Sequence, residues 1–291
     1  MPEPERVAIE VDGRTLSLSN LDKQLYPSGF TKGQVIDYYV RIAPVLLPYL
    51  RGRNTTMRRF PNGSMENSFF NKNLPAHTPE WLPRVKLKDV TYPVVGDVAT
   101  LVYTANLAAL ELHVPPHRAA DDSFAPDRLV FDLDPGPNTG IRECAVLALE
   151  IHSLLTPLGL ASVAKTSGSK GIQVYSACPE AMGFEGAGGA TAFTKALAEG
   201  LEAQHPDRYV SKQAKDLRPG KVLIDWSQCV AAKTTVAVYS LRARETPTVS
   251  TPVTWDEIGS AADGAPLSFT APEVLERVAA FGDLFALPQT P

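Results

Sequence analysis

Alternating apolar and polar residues predict β-strands at several places along the chain. Val7, Ile9 and Val11 alternate with polar residues up to Asp12-Gly13, and the alternation resumes after this dipeptide. Because Asp-Gly favours the tight turn that joins two antiparallel strands, the N-terminus is predicted to form a β-hairpin. Further strands are predicted for residues 54–60, 111–114, 128–134, 172–175 and 222–225.

Helical periodicity separates these strands. Thr31 and Gln34 have the spacing of a capping box, and the apolar residues after them recur at helical intervals to about Pro44 or beyond. Residues 101–110 and 141–155 also fit helices, and the second has a clear apolar face. The expected fold is therefore an α/β unit whose sheet is antiparallel or mixed and is flanked by helices.

The stretch from Arg128 to Pro137 is the candidate centre of the chemistry. Its apolar residues alternate with Asp132 and Asp134, so both carboxylates lie on one face of the strand. The sequence Pro-Gly-Pro then ends the strand, at a position in a sheet where ligands commonly bind. Two carboxylates this close repel each other, and a divalent cation would favour the arrangement. The alternative is a polar strand end with turn-forming aspartates.

Two further motifs place polar groups at strand ends. The turn Ser167-Gly-Ser-Lys-Gly171 joins two predicted strands, and its glycines allow backbone N–H groups to approach a phosphate. Ser167, Ser169 and Lys170 add side-chain donors, although the order and spacing of a Walker loop are absent. The apolar run at residues 222–225 ends in a third aspartate, Asp225.

Several other residues have both a functional and a structural interpretation. Lys32 lies in the first turn of a predicted helix, where it is either part of an anion site or an ordinary surface lysine. Phe69 and Phe70 are suited to stacking on a nucleotide base or to packing in the core. His113 lies on the opposite side of its strand from its apolar neighbours, which fits a structural or a catalytic role.

Composition limits the class of protein. The 291 residues are 44% hydrophobic and include 25 prolines and 20 glycines, as expected of a globular protein with many loops. The sequence contains no apolar run near the roughly 20 residues that span a bilayer, and its polar start is unlike a signal peptide. A cytoplasmic location without membrane contact is expected. The scattered Cys144, Cys178 and Cys229 disfavour disulfides and structural zinc and are expected in the core.

The charge distribution is more informative than the total charge. A net charge of -4 argues weakly against nucleic-acid binding. Basic residues nevertheless form two groups, one within residues 51–59 and one within residues 212–221. Such patches can attract a polyanion despite a negative total.

Asp132-x-Asp134, the Ser167–Gly171 turn and Asp225, in this order on successive strands, resemble the archaeo-eukaryotic primase superfamily. The likeness is greatest to the polymerase domain of bacterial DNA ligase D and its stand-alone relatives. It extends over nearly the whole chain, through residues 18–23, 58–60, 106–109 and 225–228. The resemblance implies a primase-polymerase fold of the α/β (α+β) class in a single domain, with an N-terminal accessory lobe over roughly residues 1–95 and a catalytic lobe over roughly 96–291.

The resemblance also implies an activity and a role for each candidate residue. The chain would be a template-directed nucleotidyltransferase that extends primers at short gaps or double-strand break ends, with two Mg²⁺ or Mn²⁺ ions held by Asp132, Asp134 and Asp225. The residues implied in nucleotide binding are His113, Ser167, Ser169, Lys170, Gln228 and Arg242. Those implied in binding a downstream 5′-phosphate are Asn20, Lys23 and Lys32. Those implied in binding template or primer are Arg58, Phe69, Phe70 and, on a mobile loop, Arg218.

The implied partners are DNA with gaps or 3′ overhangs and an NTP or dNTP. Since ligase and nuclease signatures are missing, the expectation is a free-standing, monomeric, nucleoid-associated module that acts with a separate DNA ligase and a Ku-type end binder. One departure is Gln173, where primases commonly carry a histidine; a neutral amide can donate a hydrogen bond but not as a cation. A zinc-binding insertion of the kind that many primases use is also missing from the sequence.

Three alternatives stay open at this point. One is a DNA primase, and another is a non-catalytic module that bridges DNA ends through its basic patches. The third is a phosphatase of the haloacid dehalogenase type, which also begins from Asp-x-Asp but usually has threonine where this chain has Gly136.

Overall fold

The structure is a computed structural model that describes residues 6–119, 125–178 and 186–287, with the backbone alone described at Gly186 and Ala187. The described residues form two compact units. The first contains residues 6–114, 236–250 and 269–282, and the second contains residues 115–235, 251–268 and 283–287. None of the helices in this part of the chain is both long enough and apolar enough to cross a membrane.

The first unit begins with the predicted hairpin. Strands β1 (Arg6–Val11) and β2 (Arg14–Ser19) pair antiparallel, with Val11 opposite Arg14. Asp12 and Gly13 both have positive φ, 50° and 70°. These are the angles that a two-residue turn of this kind needs, and aspartate and glycine adopt them more readily than most residues. The sequence-based prediction of the hairpin is confirmed.

Helix α1 (Lys32–Leu50) follows, and its start is the predicted capping box. The Thr31 hydroxyl accepts from the Gln34 backbone N–H at 3.3 Å, and the Gln34 side chain accepts from the Thr31 N–H at 2.8 Å. The helix continues past Pro44 and Pro48 to Leu50 because its later apolar residues remain buried. Tyr39 is fully buried, and its hydroxyl donates to the Leu110 carbonyl at 2.8 Å, which meets the cost of burying a polar group.

The main sheet of the first unit has the strand order β13-β7-β3-β4. Its strands are β3 (Thr56–Arg59), β4 (Phe69–Asn71), β7 (Ala109–Val114) and β13 (Thr235–Val236). A separate two-stranded sheet pairs β5 (Arg84–Leu87) with β6 (Val90–Pro93). Helix α2 (Val98–Asn106) precedes β7, and helix α6 (Ala271–Phe281) returns near the end of the chain.

The prediction of one helix over residues 101–110 is wrong at its C-terminal end. Helix α2 ends at Asn106, and Ala108 has a left-handed backbone with φ of 56°. From Ala109 the chain pairs with β3, where Ala109 lies opposite Arg59. The leucine- and alanine-rich composition favours a helix, but hydrogen bonds to a distant strand decide the conformation.

The second unit is built on a six-stranded sheet with the order β11-β12-β8-β10-β9-β14. The central strand β8 (Arg128–Pro135) pairs antiparallel with both neighbours. The other strands are β9 (Ser162–Thr166), β10 (Ile172–Ala177), β11 (Tyr209–Val210), β12 (Val222–Asp225) and β14 (Pro252–Val253). The mixed sheet and its flanking helices confirm the predicted fold class.

Helices α3 (Ile141–Leu155), α4 (Gly186–Gln204) and α5 (Trp255–Ala262) complete the second unit. Helix α3 has the predicted bounds and packs against β8, β10 and α5. The apolar residues of β8, among them Leu129, Phe131 and Leu133, have no exposed surface. Cys144 and Cys229 lie in the core as expected, whereas Cys178 is partly exposed.

The two compact units differ from the sequence-based division near residue 95. That division assigns α2 and β7 to the catalytic lobe, whereas both belong to the first unit, where α2 packs on α1 and β7 pairs with β3. The first unit also takes in residues 236–250 and 269–282 from late in the chain. The assignment of the whole chain to a single domain stays a prediction.

Candidate active site

A transverse row of polar residues crosses four strands of the second unit. Asp132 on β8 lies opposite Asp225 on β12, and on its other side lies opposite Gln173 on β10. Gln173 in turn lies opposite Lys165 on β9. Because directly opposed residues project to the same face of a sheet, the row gathers two carboxylates, an amide and an ammonium on one surface. The prediction that Asp132 and Asp225 meet across adjacent strands is confirmed.

The acidic side of this row is electrostatically strained. Burial, and after it the neighbouring charge of Asp134, two residues along the same face, are the largest causes that raise the pKa of Asp132 to about 7. The charge of Asp225 also raises the pKa of Asp132, whereas a hydrogen bond from Gln173 and the charge of Lys165 lower it. A site that concentrates negative charge in this way favours a proton or a cation.

Asp225 is held by residues that directly follow it. One carboxylate oxygen accepts from the Ser227 backbone N–H at 3.0 Å and from the Ser227 hydroxyl at 2.6 Å. The other accepts from the Gln228 side-chain nitrogen at 2.8 Å. Gln228 is predicted from the sequence to bind the nucleotide, and Ser227 is not among the predicted site residues. The structure shows that both orient the carboxylate, because β12 ends at Asp225 and a tight helical turn begins there.

Gln173 and Lys165 form a second polar pair behind Asp132. Lys165 is fully buried and donates to the Gln173 side-chain oxygen at 2.5 Å. The sequence raised the concern that glutamine lacks the positive charge of a protonated histidine. In the structure Lys165 lies one strand further along the same row and donates a hydrogen bond to Gln173. Lys165 is not among the residues predicted from the sequence, because the strand pairing that brings it to the site is not visible in the local pattern.

The donor set suits a divalent cation. Within residues 6–119, 125–178 and 186–287, no three Asp, Glu, His or Cys side chains are arranged as a ready metal site, and Asp225 is turned toward Ser227 and Gln228. Three observations nevertheless fit Mg²⁺ or Mn²⁺. Carboxylate oxygens are the ligands that these ions prefer, the charges of Asp134 and Asp225 disfavour ionised Asp132 so that a bound cation would relieve the repulsion, and the buried Gln228 side-chain oxygen has no hydrogen-bond partner among these residues. The ligand roles of Asp132, Asp134 and Asp225 stay a prediction.

The glycine-rich turn connects β9 to β10 as predicted. The Ser167 hydroxyl accepts from the backbone N–H groups of Ser169 at 3.2 Å and Gly171 at 3.1 Å, so it stabilises the turn itself. Ser169 and Lys170 are exposed at the tip. A Cβ atom at Gly171 would lie 2.1 Å from the Leu133 carbonyl oxygen, which excludes any other residue there without a shift of β8. The turn is thereby fixed beside the aspartate strand.

Arg218 is brought to the end of the aspartate strand by its backbone. A Cβ atom at Gly136 would lie 2.0 Å from the Arg218 carbonyl oxygen, and the Gly136 N–H donates to the Lys221 carbonyl at 2.9 Å. The Arg218 guanidinium donates to the backbone and side-chain oxygens of Gln213, at 2.6 and 3.0 Å. Its assignment to template or primer, and the mobility of its loop, stay predictions.

In the first unit, a buried carboxylate gathers three of the predicted site residues. Glu111 on β7 is only 2% exposed and contacts Arg58 at 3.5 Å, His113 at 3.0 Å and Arg242 at 3.2 Å. Burial acts to raise the pKa of Glu111, but the hydrogen bond from His113 and the charge of Arg242 lower it to about 2. Glu111 was not among the residues predicted from the sequence. Its position next to an apolar strand residue gave no sign that two arginines and a histidine would contact it.

Phe69 and Phe70 on β4 are both exposed, by 47% and 58%, so neither is a core residue. The Arg58 guanidinium lies 5.4 Å from the Phe70 ring centroid, and the Phe70 and His113 rings meet edge to face at 5.5 Å. Exposed aromatic rings flanked by cations provide a surface on which a nucleotide base can stack. The burial pattern therefore supports the stacking interpretation over core packing.

Asn20, Lys23 and Lys32 line one cavity of about 550 Å³ in the first unit, together with Arg6 and Arg59. Lys32 is 5% exposed and donates to the Ser19 carbonyl at 2.5 Å, while the Lys23 ammonium donates to the Pro61 carbonyl at 2.7 Å. Burial, and then the charge of Lys23, lower the pKa of Lys32 to about 8. Such a cluster of cations, in which Lys32 is nearly buried and lies at a helix N-terminus, favours an anion.

Comparison with known proteins agrees with this architecture. Residues 31–285 match the family model described as LigD, primase-polymerase domain. The chain is 42% identical over 275 residues to the multifunctional non-homologous end joining protein LigD of Mycolicibacterium smegmatis, covering 92% of this chain and 35% of that protein. It is 32% identical over 280 residues to the bifunctional non-homologous end joining protein LigD of Bacillus subtilis, covering 94% of this chain and 45% of the relative.

A solved structure gives the same result. The fold matches the polymerase domain from Mycobacterium tuberculosis ligase D in complex with DNA, with a TM-score of 0.85 and 40% identity. The match covers 92% of this chain and 96% of that domain. The chain thus spans less than half the length of these curated relatives but nearly all of the solved polymerase domain. It belongs to the LigD primase-polymerase domain family, whose members are DNA-directed nucleotidyltransferases.

Proposed function

We propose that this chain adds nucleotides, directed by a template, to DNA primers at short gaps or double-strand break ends. The single observation that carries the proposal is the apposition of Asp132 and Asp225 on adjacent strands, with Asp134 on the same face. Its family membership and the DNA complex of the matching M. tuberculosis domain support the same activity.

Asp132, Asp134 and Asp225 would hold two Mg²⁺ or Mn²⁺ ions. Bound there, such ions would lower the pKa of a primer 3′-hydroxyl and neutralise the leaving pyrophosphate. Ser227 and Gln228 hold the Asp225 carboxylate in place, which reduces the motion that a metal ligand must lose on binding. The buried, unpaired Gln228 oxygen is suited to accept a hydrogen bond from the nucleotide.

Several polar groups are proposed to bind the nucleotide. Ser169 and Lys170, exposed at the glycine turn, supply donors for the triphosphate, and Ser167 shapes that turn. Arg242 and His113, both oriented by Glu111, would contact the nucleotide as well.

The DNA would be bound by the aromatic and basic groups described above. Phe69 and Phe70 would stack on the template or primer terminus, with Arg58 and Arg218 on its phosphates. Asn20, Lys23 and Lys32 would recognise the 5′-phosphate on the far side of a gap. A separate DNA ligase and a Ku-type end binder would complete the repair. The enzyme would act as a monomer in the cytoplasm, associated with the nucleoid.

The decisive experiment is primer extension on a duplex with a one-nucleotide gap, a template thymine and a downstream 5′-phosphate, in the presence of Mn²⁺. ATP and dATP are supplied separately and in competition, which also determines the sugar preference. We expect addition of one templated adenosine nucleotide and release of pyrophosphate. A phosphatase would release phosphate without extension, a non-catalytic bridging module would only shift DNA mobility, and either result would overturn the proposal.

A further inference from the structure

We propose that Lys165 is a positioning residue for the carboxylate site, because it fixes the Gln173 amide in the orientation that lets its nitrogen donate to Asp132. The inference rests on the proposed function, since it assigns Asp132 a role in holding metal. Lys165 would act on Asp132 through its hydrogen bond to Gln173.

The geometry begins with the strand register. Lys165, Gln173 and Asp132 lie opposite one another on three adjacent strands, so their side chains share one face. Lys165 has no exposed surface and Gln173 is 3% exposed. Water therefore has little access to the Gln173 amide, and the orientation of that amide is decided by protein groups.

Two donors converge on the Gln173 side-chain oxygen. The Lys165 ammonium donates to it at 2.5 Å, and the Tyr175 hydroxyl donates to it at 3.2 Å. The Tyr175 hydroxyl is itself placed by Thr235, whose hydroxyl oxygen lies 2.9 Å away. The ammonium also lies 5.6 Å from the Tyr175 ring centroid, so the lysine is held from two sides.

The chemistry of these groups leaves the amide only one favourable orientation. An ammonium has donors and no acceptor, so it must face the amide oxygen and not the amide NH₂. The NH₂ then points away from Lys165, along the row toward Asp132, where the hydrogen bond from Gln173 is found. A rotated amide would set NH₂ against the ammonium and oxygen against the carboxylate, which is unfavourable at both ends.

The consequence concerns the Asp132 carboxylate. The Gln173 NH₂ donates a hydrogen bond to the carboxylate and so restricts its orientation. The same hydrogen bond stabilises the ionised form of Asp132 against the charges of Asp134 and Asp225. A group that orients a ligand from behind typically affects metal affinity although it never touches the metal. Lys165 would therefore contribute to cation binding although it lies two strands away from Asp132.

The test compares Lys165→Met, which removes the ammonium but keeps most of the volume, with wild type. Free Mn²⁺ is measured by electron paramagnetic resonance during titration of the protein, without nucleotide or DNA. We expect Lys165→Met to weaken Mn²⁺ binding by about tenfold or more, the usual effect of removing an outer partner of a metal ligand. Lys233→Met, at an exposed lysine of the same unit, is the matched control and should leave Mn²⁺ binding unchanged.

A double-mutant cycle separates positioning from a merely structural effect. If Lys165 acts through Gln173, then Lys165→Met in a Gln173→Leu background should weaken Mn²⁺ binding by less than about twofold beyond Gln173→Leu alone. Full additivity of the two substitutions, or unchanged Mn²⁺ affinity in Lys165→Met, would overturn the proposal. In primer extension, the Mn²⁺ concentration at half-maximal rate should rise more than the KM for nucleotide.

Tyr175→Phe keeps the test decisive if Lys165→Met does not fold, as judged by its thermal unfolding. That variant removes the second donor to the amide oxygen, together with the hydroxyl's hydrogen bond to Thr235. We expect it to weaken Mn²⁺ binding by about two- to fourfold, with the same loss of effect in the Gln173→Leu background. No change in Tyr175→Phe would count against the proposal. Mn²⁺ binding is measured without any reaction, so the two proposals can fail separately. If the wild type binds Mn²⁺ but extends no primer, the proposed function is rejected, while the role of Lys165 is still decided by the Mn²⁺ titrations.

Discussion

Asp132 and Asp225 lie directly opposite each other on neighbouring antiparallel strands, with their side chains on the same face of the sheet. Like charges in directly opposed positions destabilise a sheet. The raised pKa of Asp132, which follows from burial and from the charge of Asp134 and to a lesser degree of Asp225, expresses the same cost. An arrangement that costs stability is typical of a site kept for binding or chemistry.

The first prediction is that Asp132→Asn abolishes nucleotide addition and leaves affinity for gapped DNA largely unchanged. Metal-bound carboxylates serve the chemistry, whereas lysines and arginines bind the phosphate backbone. Extension is measured with Mn²⁺ on gapped DNA, and binding by fluorescence anisotropy. A variant that kept substantial extension would contradict the proposed role of Asp132, and Asp134→Asn should behave in the same way.

The second prediction is that Asp132→Asn makes the metal-free protein more stable at pH 8. The pKa of this group is raised on folding, so its ionised form destabilises the fold once the pH rises above its unfolded value near 4. Asparagine removes that repulsion, and we expect a gain of about 1 kcal/mol, allowing for solvent screening of a half-buried group. The difference in the free energy of unfolding between Asp132→Asn and wild type is measured by urea unfolding with EDTA at pH 8 and pH 5. The gain should shrink at pH 5, and a loss of stability at pH 8 would contradict the argument.

The third prediction concerns the cavity lined by Lys23 and Lys32. Replacing both lysines by alanine should weaken binding to gapped DNA with a 5′-phosphate by about tenfold or more, because charge-assisted hydrogen bonds are lost. Binding to the 5′-hydroxyl version should change little, and added salt should reduce the difference. The matched control replaces the exposed Lys86 and Lys88, which removes the same charge elsewhere in the unit. Equal losses on both DNAs would indicate nonspecific backbone contacts instead.

The fourth prediction is that preference for the 5′-phosphate falls as the pH rises through about 8. Burial lowers the pKa of Lys32 to about 8, so in the free protein this lysine loses its proton above that pH. A bound phosphate favours the charged form, and affinity should therefore decline by up to tenfold per pH unit above about 8. The ratio of affinities for phosphorylated and unphosphorylated gaps is measured from pH 7 to 9.5 at constant ionic strength. Lys32→Arg should give a nearly flat profile, and a flat profile in wild type would mean that Lys32 does not contact the phosphate.

Local patterns in the sequence predicted the elements that depend on local rules. Period-two alternation placed Asp132 and Asp134 on one face, the Asp12-Gly13 dipeptide predicted the first turn, and the capping box located the start of α1. In each case the residues that specify the feature are within a few positions of one another. The fold itself was predicted from the family resemblance, which the comparisons confirm.

What the sequence did not predict depends on contacts between distant residues. Lys165 gains its position from the pairing of β9 with β10, and Glu111 gains its role from Arg242, which is 131 residues further along the chain. In a strand pattern both appear as ordinary polar residues. The helix predicted over residues 101–110 fails for the same reason, because pairing with β3 overrides the local preference after Ala108.

The last prediction is that Glu111 stabilises the first unit in a pH-dependent way. Its pKa falls from the usual 4.5 to about 2 on folding, because the hydrogen bond from His113 and the charge of Arg242 outweigh its burial. A lowered carboxylate pKa contributes stability that is present above about pH 4.5 and is lost as the pH falls toward 2. The contribution is at most about 3 kcal/mol, from the difference between the two pKa values.

Glu111→Gln should therefore lower the free energy of unfolding by about 2 to 3 kcal/mol at pH 7, since it leaves buried cations without their counter-charge. The difference in the free energy of unfolding between Glu111→Gln and wild type, measured by urea unfolding, should become smaller at pH 4 and below. Asp37→Asn is the matched control, because its exposed pair with Arg41 on α1 contributes about 0.5 kcal/mol or less. A gap of constant size between pH 7 and pH 3 would show that Glu111 acts through packing and not through its charge. In active enzyme the same substitution should also raise the KM for nucleotide more than it lowers kcat, because Arg242 and His113 lose the group that orients them.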